Sequence, residues 1–221
     1  MYKLNLAFHD IVGNASGEWQ IRPEYFIKMF DWCQKNVNDF CIYFDDGKRI
    51  ELSSKELAFI GPCCNLAVVV ETIGLNGYFG WPDLTLLVKL GFKISSHGYS
   101  HSSLCKYDDA NQKILVNPKG GKYQSAPRGK VLLSEKEVEF QLIESKKMFE
   151  KHGFEVKEFV FPYGLYSSQT IGILDKLDVY EYYTTCEPGF YSGGKMIPRF
   201  LVYGNKTVRD NLLCLTKIIS I

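Results

Sequence analysis

The stretch Phe40-Cys41-Ile42-Tyr43-Phe44-Asp45-Asp46-Gly47 decides how this chain is read. Five apolar residues in a row between polar neighbours are the pattern of a strand buried on both faces, as parallel sheets require. Two carboxylates and a glycine follow at once. In parallel β/α folds reactive groups collect where strands end, so the position of Asp45 and Asp46 is already informative.

Working outward, the same rhythm recurs on both sides. Apolar and polar residues alternate from Met1 to His9, which predicts a first strand ending at His9. Arg22-Pro23 opens a helix whose Phe26, Met29, Phe30 and Cys33 share one face. Beyond Gly47 come a short helix from Ser54 to Ile60, a strand from Leu66 to Val70, and a helix from Pro82 to Leu90 closed by Gly91. The next strand, Phe92 to Ser96, runs into His97. Ser134 and Glu137 form a capping box, and Val138, Leu142, Ser145 and Phe149 mark the buried face of a helix that Gly153 ends. A strand at Phe159 to Phe161, a helix from Gln169 to Leu177, a strand from Tyr182 to Thr185, a strand from Arg199 to Tyr203 and a helix capped by Thr207 complete the series. Alternation of this kind implies a parallel sheet in an α/β fold, and so many units in one domain spanning residues 1–221 favour a closed or nearly closed barrel.

One segment breaks the rhythm. Residues 105–131 show no periodicity and carry Lys106, Lys113, Lys119, Lys122, Arg128 and Lys130 against Asp108 and Asp109. This inserted basic loop reads either as a solvated surface or as a lid over an anionic substrate.

Composition narrows the function classes. At 221 residues and 46% apolar, the chain can bury roughly 70% of its unfolded surface and needs no disulfide or structural metal to fold. A formal charge of +1 lacks the excess expected of a nucleic-acid binder, so no nucleic-acid partner is expected. No apolar run approaches the ~20 residues of a membrane span. The seven cysteines are odd in number and irregularly spaced, which fits reduced core thiols; with no export signal at the first strand, a cytoplasmic protein is expected.

Asp-Asp-Gly alone also reads as a strand-ending turn, and His97-Gly98-Tyr99-Ser100-His101 as a polar loop. Together they say more. Two histidines four residues apart and a carboxylate supply three ligands to a divalent metal and leave a position for water, the arrangement of a hydrolytic zinc site. Asp46, His97 and His101 fit that set. A metal that takes one of two adjacent carboxylates removes their repulsion and leaves Asp45 as a general base.

These residues resemble the polysaccharide deacetylases of carbohydrate esterase family 4, the nodulation-factor deacetylase type. Tyr43 to Gly47 matches the first family motif and Ser96 to Ser102 the His-x-x-x-His motif. Phe159-Val160-Phe161-Pro162-Tyr163-Gly164 is similar to the third, and Ala7 to Asp10 and Ile197 to Arg199 resemble framing segments. The resemblance spans nearly the whole chain. It implies a distorted (β/α)7-type barrel, Asp45 as catalytic base, a metal, Zn2+ first among candidates, on Asp46, His97 and His101, and the Tyr163 backbone amide on the oxyanion.

Two departures shape further expectations. Many members carry an arginine at the start of the third motif where this chain has Val160; Arg199, whose fork suits a carboxylate, is the substitute expected to orient Asp45. The family's late Leu-x-His motif is absent, since the last histidine is His152, read here as a solvated residue near the end of its helix. His9 is then the candidate proton donor to the leaving amine. Pro162, Tyr99 and Trp81 are candidate substrate contacts, the two aromatics together with Tyr163 by stacking on sugar rings.

The expected activity is metal-dependent removal of N-acetyl groups from an acetamido sugar or oligosaccharide, polymeric, nucleotide-linked or lipid-linked, in glycan or surface-polysaccharide biosynthesis. The alternatives are an amidohydrolase of the same fold acting on a small C–N substrate, and a glycan-binding protein with weak or lost turnover.

Overall fold

The computed structural model describes residues 3–104 and 133–219, so the inserted stretch 105–131 lies outside the described residues. Strand β1 (Lys3–Phe8) opens the chain, and the short β2 (Asp10–Ile11) and β3 (Gln20–Ile21) pair with each other in a separate ribbon. Helix α1 (Pro23–Asn36) has Pro23 in its first turn, where a missing N–H costs nothing, and buries Phe26, Met29, Phe30 and Cys33. Strand β4 (Phe40–Phe44) and helix α2 (Ser54–Ile60) follow, the helix started by a capping box in which Ser53 and Glu56 satisfy each other's backbone N–H groups. The series continues with β5 (Cys64–Val68), α3 (Trp81–Lys89), β6 (Lys93–Ser96) and α4 (Glu135–Lys151), the last started by a second capping box at Ser134 and Glu137. Then come β7 (Glu158–Val160), α5 (Ser168–Leu177), β8 (Tyr182–Thr184), β9 (Phe190–Tyr191), β10 (Met196–Ile197), β11 (Phe200–Leu201) and α6 (Val208–Ile219).

The main sheet runs β10-β8-β7-β6-β5-β4-β1-β11, every pair along this path parallel, with β9 antiparallel to β1. Only Pro198 and Arg199 separate β10 from β11. One stretch therefore pairs with β8 by its first half and with β1 by its second, joining the two edges into a nearly closed barrel. The strand expected from Arg199 to Tyr203 is shorter for this reason. Pro198 has no N–H to continue the ladder, and the Arg199 N–H turns aside to Glu187 O at 3.0 Å.

Strand alternation sorts the barrel wall. Leu4, Leu6, Phe8, Ile42, Phe44, Leu66 and Phe159 join Phe26, Phe30 and Phe149 in the layer between sheet and helices. The opposite face holds a separate cluster of Ala7, Cys41, Tyr43, Ala67 and Val160, which packs inside the barrel. Small side chains on this inner face leave room for polar groups at the strand ends.

Candidate metal centre

Asp45 continues β4 by one residue, its N–H donating to Phe8 O at 2.8 Å, so its side chain points inward two places beyond Tyr43. The chain then turns sharply. Asp46 and Gly47 have φ of 69° and 72°, and a Cβ on Gly47 would lie 3.1 Å from Val68 Cγ1. This left-handed pair sends the two adjacent carboxylates to different partners.

Asp46 faces the histidines. His97 leaves β6 with its N–H on Val68 O at 2.9 Å, and its Nδ1 lies 2.8 Å from Val160 O. A carbonyl only accepts, so Nδ1 carries the proton and Nε2 presents a lone pair. His101, at φ 54°, brings its Nε2 to 3.2 Å from that of His97. Asp46 Oδ1 lies 3.6 Å from His97 Nε2 and 3.3 Å from His101 Nε2. The loop is pinned from α4, where Gln141 Oε1 accepts the N–H groups of Tyr99 and Ser100 and Nε2 donates to Ser100 Oγ.

The three donor atoms lie within 4.8 Å of one another. Two imidazole nitrogens and a carboxylate oxygen converging at this separation could hold a divalent cation, and the His97 tautomer is the one that ligation needs. Burial, with His97 beside it, lowers the His101 pKa to about 4. Burial opposes ionisation of Asp46, but the imidazoles of His97, His9 and His101 around it hold the carboxyl far below the usual range.

Asp45 faces Arg199. The fully buried guanidinium donates through Nη1 to Oδ1 at 2.6 Å and through Nη2 to Oδ2 at 3.1 Å, while Nε donates to Thr185 O at 3.1 Å. Burial opposes the Asp45 charge, but this fork outweighs it and keeps the carboxyl below its ordinary value. The Cys186 thiol, 3.6 Å from Nη2, is pushed up to about 11 by burial. A Cβ on Gly164 would lie 2.6 Å from Cys186 Cβ, so the turn at Pro162–Gly164 needs a glycine there. Within that turn Tyr163 sits at φ 59°, its ring 4.5 Å from that of His101.

These groups border one cavity of about 200 Å³, with His9, Asp45, Asp46, His97, His101 and Tyr163 on its wall. His9 Nδ1 is buried without a partner, its ring 4.6 Å from Trp19, and burial lowers its pKa.

The other predicted contacts lie elsewhere. Trp81 is outside the cavity wall, stacked on His152 with ring centroids 3.7 Å apart and planes 4° apart, and flanked by Phe149 and Phe154. His152 is exposed at the end of its helix, as expected, and lays one ring face on the indole. Tyr99 pairs its ring with Phe140, and Pro162 is buried under the turn. The residues of the wall and its support that were not expected include Trp19, Cys186, Leu201, Gln141 and Lys48, whose Nζ lies 2.8 Å from Asp10 Oδ1 and 3.6 Å from Asp46 Oδ2. Trp19 and Lys48 lie outside the regular helices and strands, whereas Gln141 shares the buried face of α4, where the period signals burial but not its bonds to the histidine loop.

No protein-family model matches the sequence, and none of the curated proteins does. Solved structures do match. A de-N-acetylase from Aggregatibacter actinomycetemcomitans is 14% identical over 96% of this chain and 100% of its own, with a TM-score of 0.72. The Streptococcus pyogenes deacetylase PplD, solved with acetate, is 15% identical over 97% of each chain, with a TM-score of 0.71. A polysaccharide deacetylase from Bacillus cereus is 16% identical over 96% of this chain and 68% of its own, with a TM-score of 0.71. The fold is that of the polysaccharide deacetylases across nearly the whole chain.

Proposed function

We propose that this chain is a metal-dependent hydrolase that removes the N-acetyl group from an acetamido sugar. The observation that carries the reading is the division of labour between neighbours: Asp46 converges with two imidazoles, while Asp45, one residue away, is held by Arg199 and kept off that cluster. A divalent cation on Asp46, His97 and His101 supplies Lewis acidity toward the acetamide carbonyl and acidifies water; zinc suits the nitrogen-rich donor set.

The chain's own groups do the rest. Asp45 takes the proton of the attacking water, oriented by the Arg199 fork. Tyr163 N–H, in the first turn of a short helix where no intrahelical partner exists, donates to the developing oxyanion. His9, on the same wall, protonates the leaving nitrogen; burial disfavours its charged form, so the proton it delivers is the one that Asp45 takes from water and passes on. Acetate and a free amino sugar result. The Tyr163 ring offers a face to the sugar.

The substrate is a soluble or carrier-linked acetamido sugar, and the basic stretch 105–131 suits phosphate-bearing forms. A reducing, cytoplasmic compartment fits the free cysteines at positions 33, 41, 63, 64 and 186. Among the described residues no helix is long and apolar enough to cross a membrane.

Acetate release from N-acetylated chitooligosaccharides and from nucleotide-linked N-acetylhexosamines, by protein loaded with zinc, tests the proposal. Metal-dependent release from either supports it. Sugar binding without release would leave a glycan-binding protein, and release only from small non-sugar amides would make it a different amidohydrolase.

A further inference from the structure

The two neighbouring carboxylates of the site are held in different ways. Asp45 is gripped at both oxygens by the Arg199 fork. Asp46 stands in a turn at φ 69° and shows Oδ1 to the histidines, 3.6 Å from His97 Nε2 and 3.3 Å from His101 Nε2. Its other oxygen, Oδ2, lies 3.6 Å from Lys48 Nζ. Among the described residues, the basic groups within ion-pair reach of Asp46 are these two imidazoles and this one ammonium. The terminal torsion of an aspartate is soft, so a partner at Oδ2 decides how firmly Oδ1 is aimed.

Lys48 is fixed at both ends. Its backbone lies against residues 77–79: Phe79 N–H donates to Gly47 O at 3.1 Å, Arg49 N–H donates to Gly77 O at 2.9 Å, and Lys48 itself bridges Tyr78. The Arg49 side chain clamps the same segment, donating through Nε to Tyr78 O at 3.0 Å and through Nη2 to Asp83 Oδ2 at 2.9 Å. The ammonium is held from the opposite side. Asp10, on the β2–β3 ribbon, places Oδ1 2.8 Å from Nζ, and its own N–H donates to Trp19 O at 3.1 Å. A row of alternating charge, Asp10, Lys48, Asp46, thus runs from the ribbon to the wall shared by His97 and His101.

A lysine beside a cation site repels the cation. Asp10 offsets that charge, and what remains is the hold on Asp46. Metal-ligating carboxylates are themselves held by outer partners, and losing such a partner costs roughly 10–100-fold in metal affinity. The side chains of Lys48, Asp10 and Asp46 are 31%, 15% and 20% exposed, so solvent weakens the row and places the effect at the lower end of that range.

We propose that Lys48 is a positioning residue for the metal centre: anchored by Asp10, its ammonium holds Oδ2 of Asp46 and so keeps Oδ1 aimed at the two imidazoles. This rests on the reading of Asp46, His97 and His101 as ligands of a divalent cation.

The test is calorimetric titration of chelator-treated protein with Zn2+, on the wild type, Lys48→Met, Lys48→Arg and Asp10→Asn. Lys48→Met weakens zinc binding about tenfold. Lys48→Arg, which keeps the charge and the reach, stays close to the wild type. Asp10→Asn also weakens binding, because it frees the ammonium and leaves its charge uncompensated. Should Asp10→Asn fail to fold, the two Lys48 variants carry the test. A Lys48→Met protein that binds zinc as tightly as the wild type, or more tightly, would overturn the proposal, whether or not it melts early: the ammonium would then be only a like charge that the site tolerates. A Lys48→Arg protein as weak as Lys48→Met would overturn it too. A wild type that binds no zinc would remove the metal centre and this role with it. A wild type that binds zinc yet releases no acetate from any acetamido sugar would remove the proposed activity alone, and the zinc affinities would still decide the role of Lys48.

Discussion

The two faces of the barrel wall are built on opposite terms. The outer face is hydrocarbon: Leu4, Leu6, Phe8, Ile42, Phe44 and Leu66 press against Phe26, Phe30 and Phe149, and rings meet edge to face, as Phe8 and Phe26 do at 5.2 Å. The inner face is small and polar, and toward the cavity it carries the strain. Of the four non-glycine residues with positive φ among the described residues, Asp46, His101 and Tyr163 belong to the site, and only Asp178 belongs to a helix end. Such conformations cost about 1–3 kcal/mol each and persist only where the surroundings impose them. Beside them lies the unpartnered His9 Nδ1. The difference teaches that the outer layer supplies the stability that the inner face spends on holding charged and strained groups beside water.

Substitutions on the two faces should therefore separate cleanly. Asp45→Asn has the largest expected effect: turnover falls by about 10²–10⁴ while bound metal is unchanged, read by acetate release and metal analysis on the same sample. An active Asp45→Asn protein would remove the base. Arg199→Met comes next. It leaves Asp45 buried and charged without its partner, and stability drops by about 3–5 kcal/mol in urea unfolding. On the outer face, Leu66→Ala costs about 2–5 kcal/mol by opening a cavity, yet turnover per folded molecule stays at the wild-type value. A large kcat loss there would break the contrast.

A smaller effect belongs to the metal-free protein. The His101 pKa is lowered from 6.5 in the free imidazole to about 4, by burial and by His97. Between those values the unfolded chain binds more protons than the folded one, so this contribution to stability is present above about pH 6.5 and is lost as pH falls toward 4. Urea midpoints of chelator-treated protein should fall over that range, and His101→Gln should flatten the slope.

Strand β4 was legible as a short apolar run ending in its reactive residues, while β1 and β6 were read as short segments that run into His9 and His97. The turn at Asp46 and the loop from His97 to His101 needed no long-range information. Arg199 and Asp45 lie 154 positions apart, and it was the family resemblance, with the fit of a fork to a carboxylate, that suggested the pair the structure sets at 2.6 Å. What could not be read has a common physical cause. The two-residue strands β2, β3, β9 and β10 are too short to show a period, and β9 pairs with β1 at the other end of the chain. Trp81, at the start of α3, suits a sugar platform or a core equally well until His152 arrives from the end of α4 to cover it. Lys48 and Trp19 reach the cavity from turns, where neither helix nor strand periodicity applies.

The most direct test of the central claim is calorimetric titration of the metal-free protein with Zn2+, on the wild type, Asp46→Ala and Asp45→Asn. The expected result is one tight site per chain in the wild type and in Asp45→Asn, and none in Asp46→Ala. A wild type that binds no zinc, or an Asp46→Ala protein that binds it as tightly as the wild type, would contradict the assignment of Asp46, His97 and His101 as the metal centre.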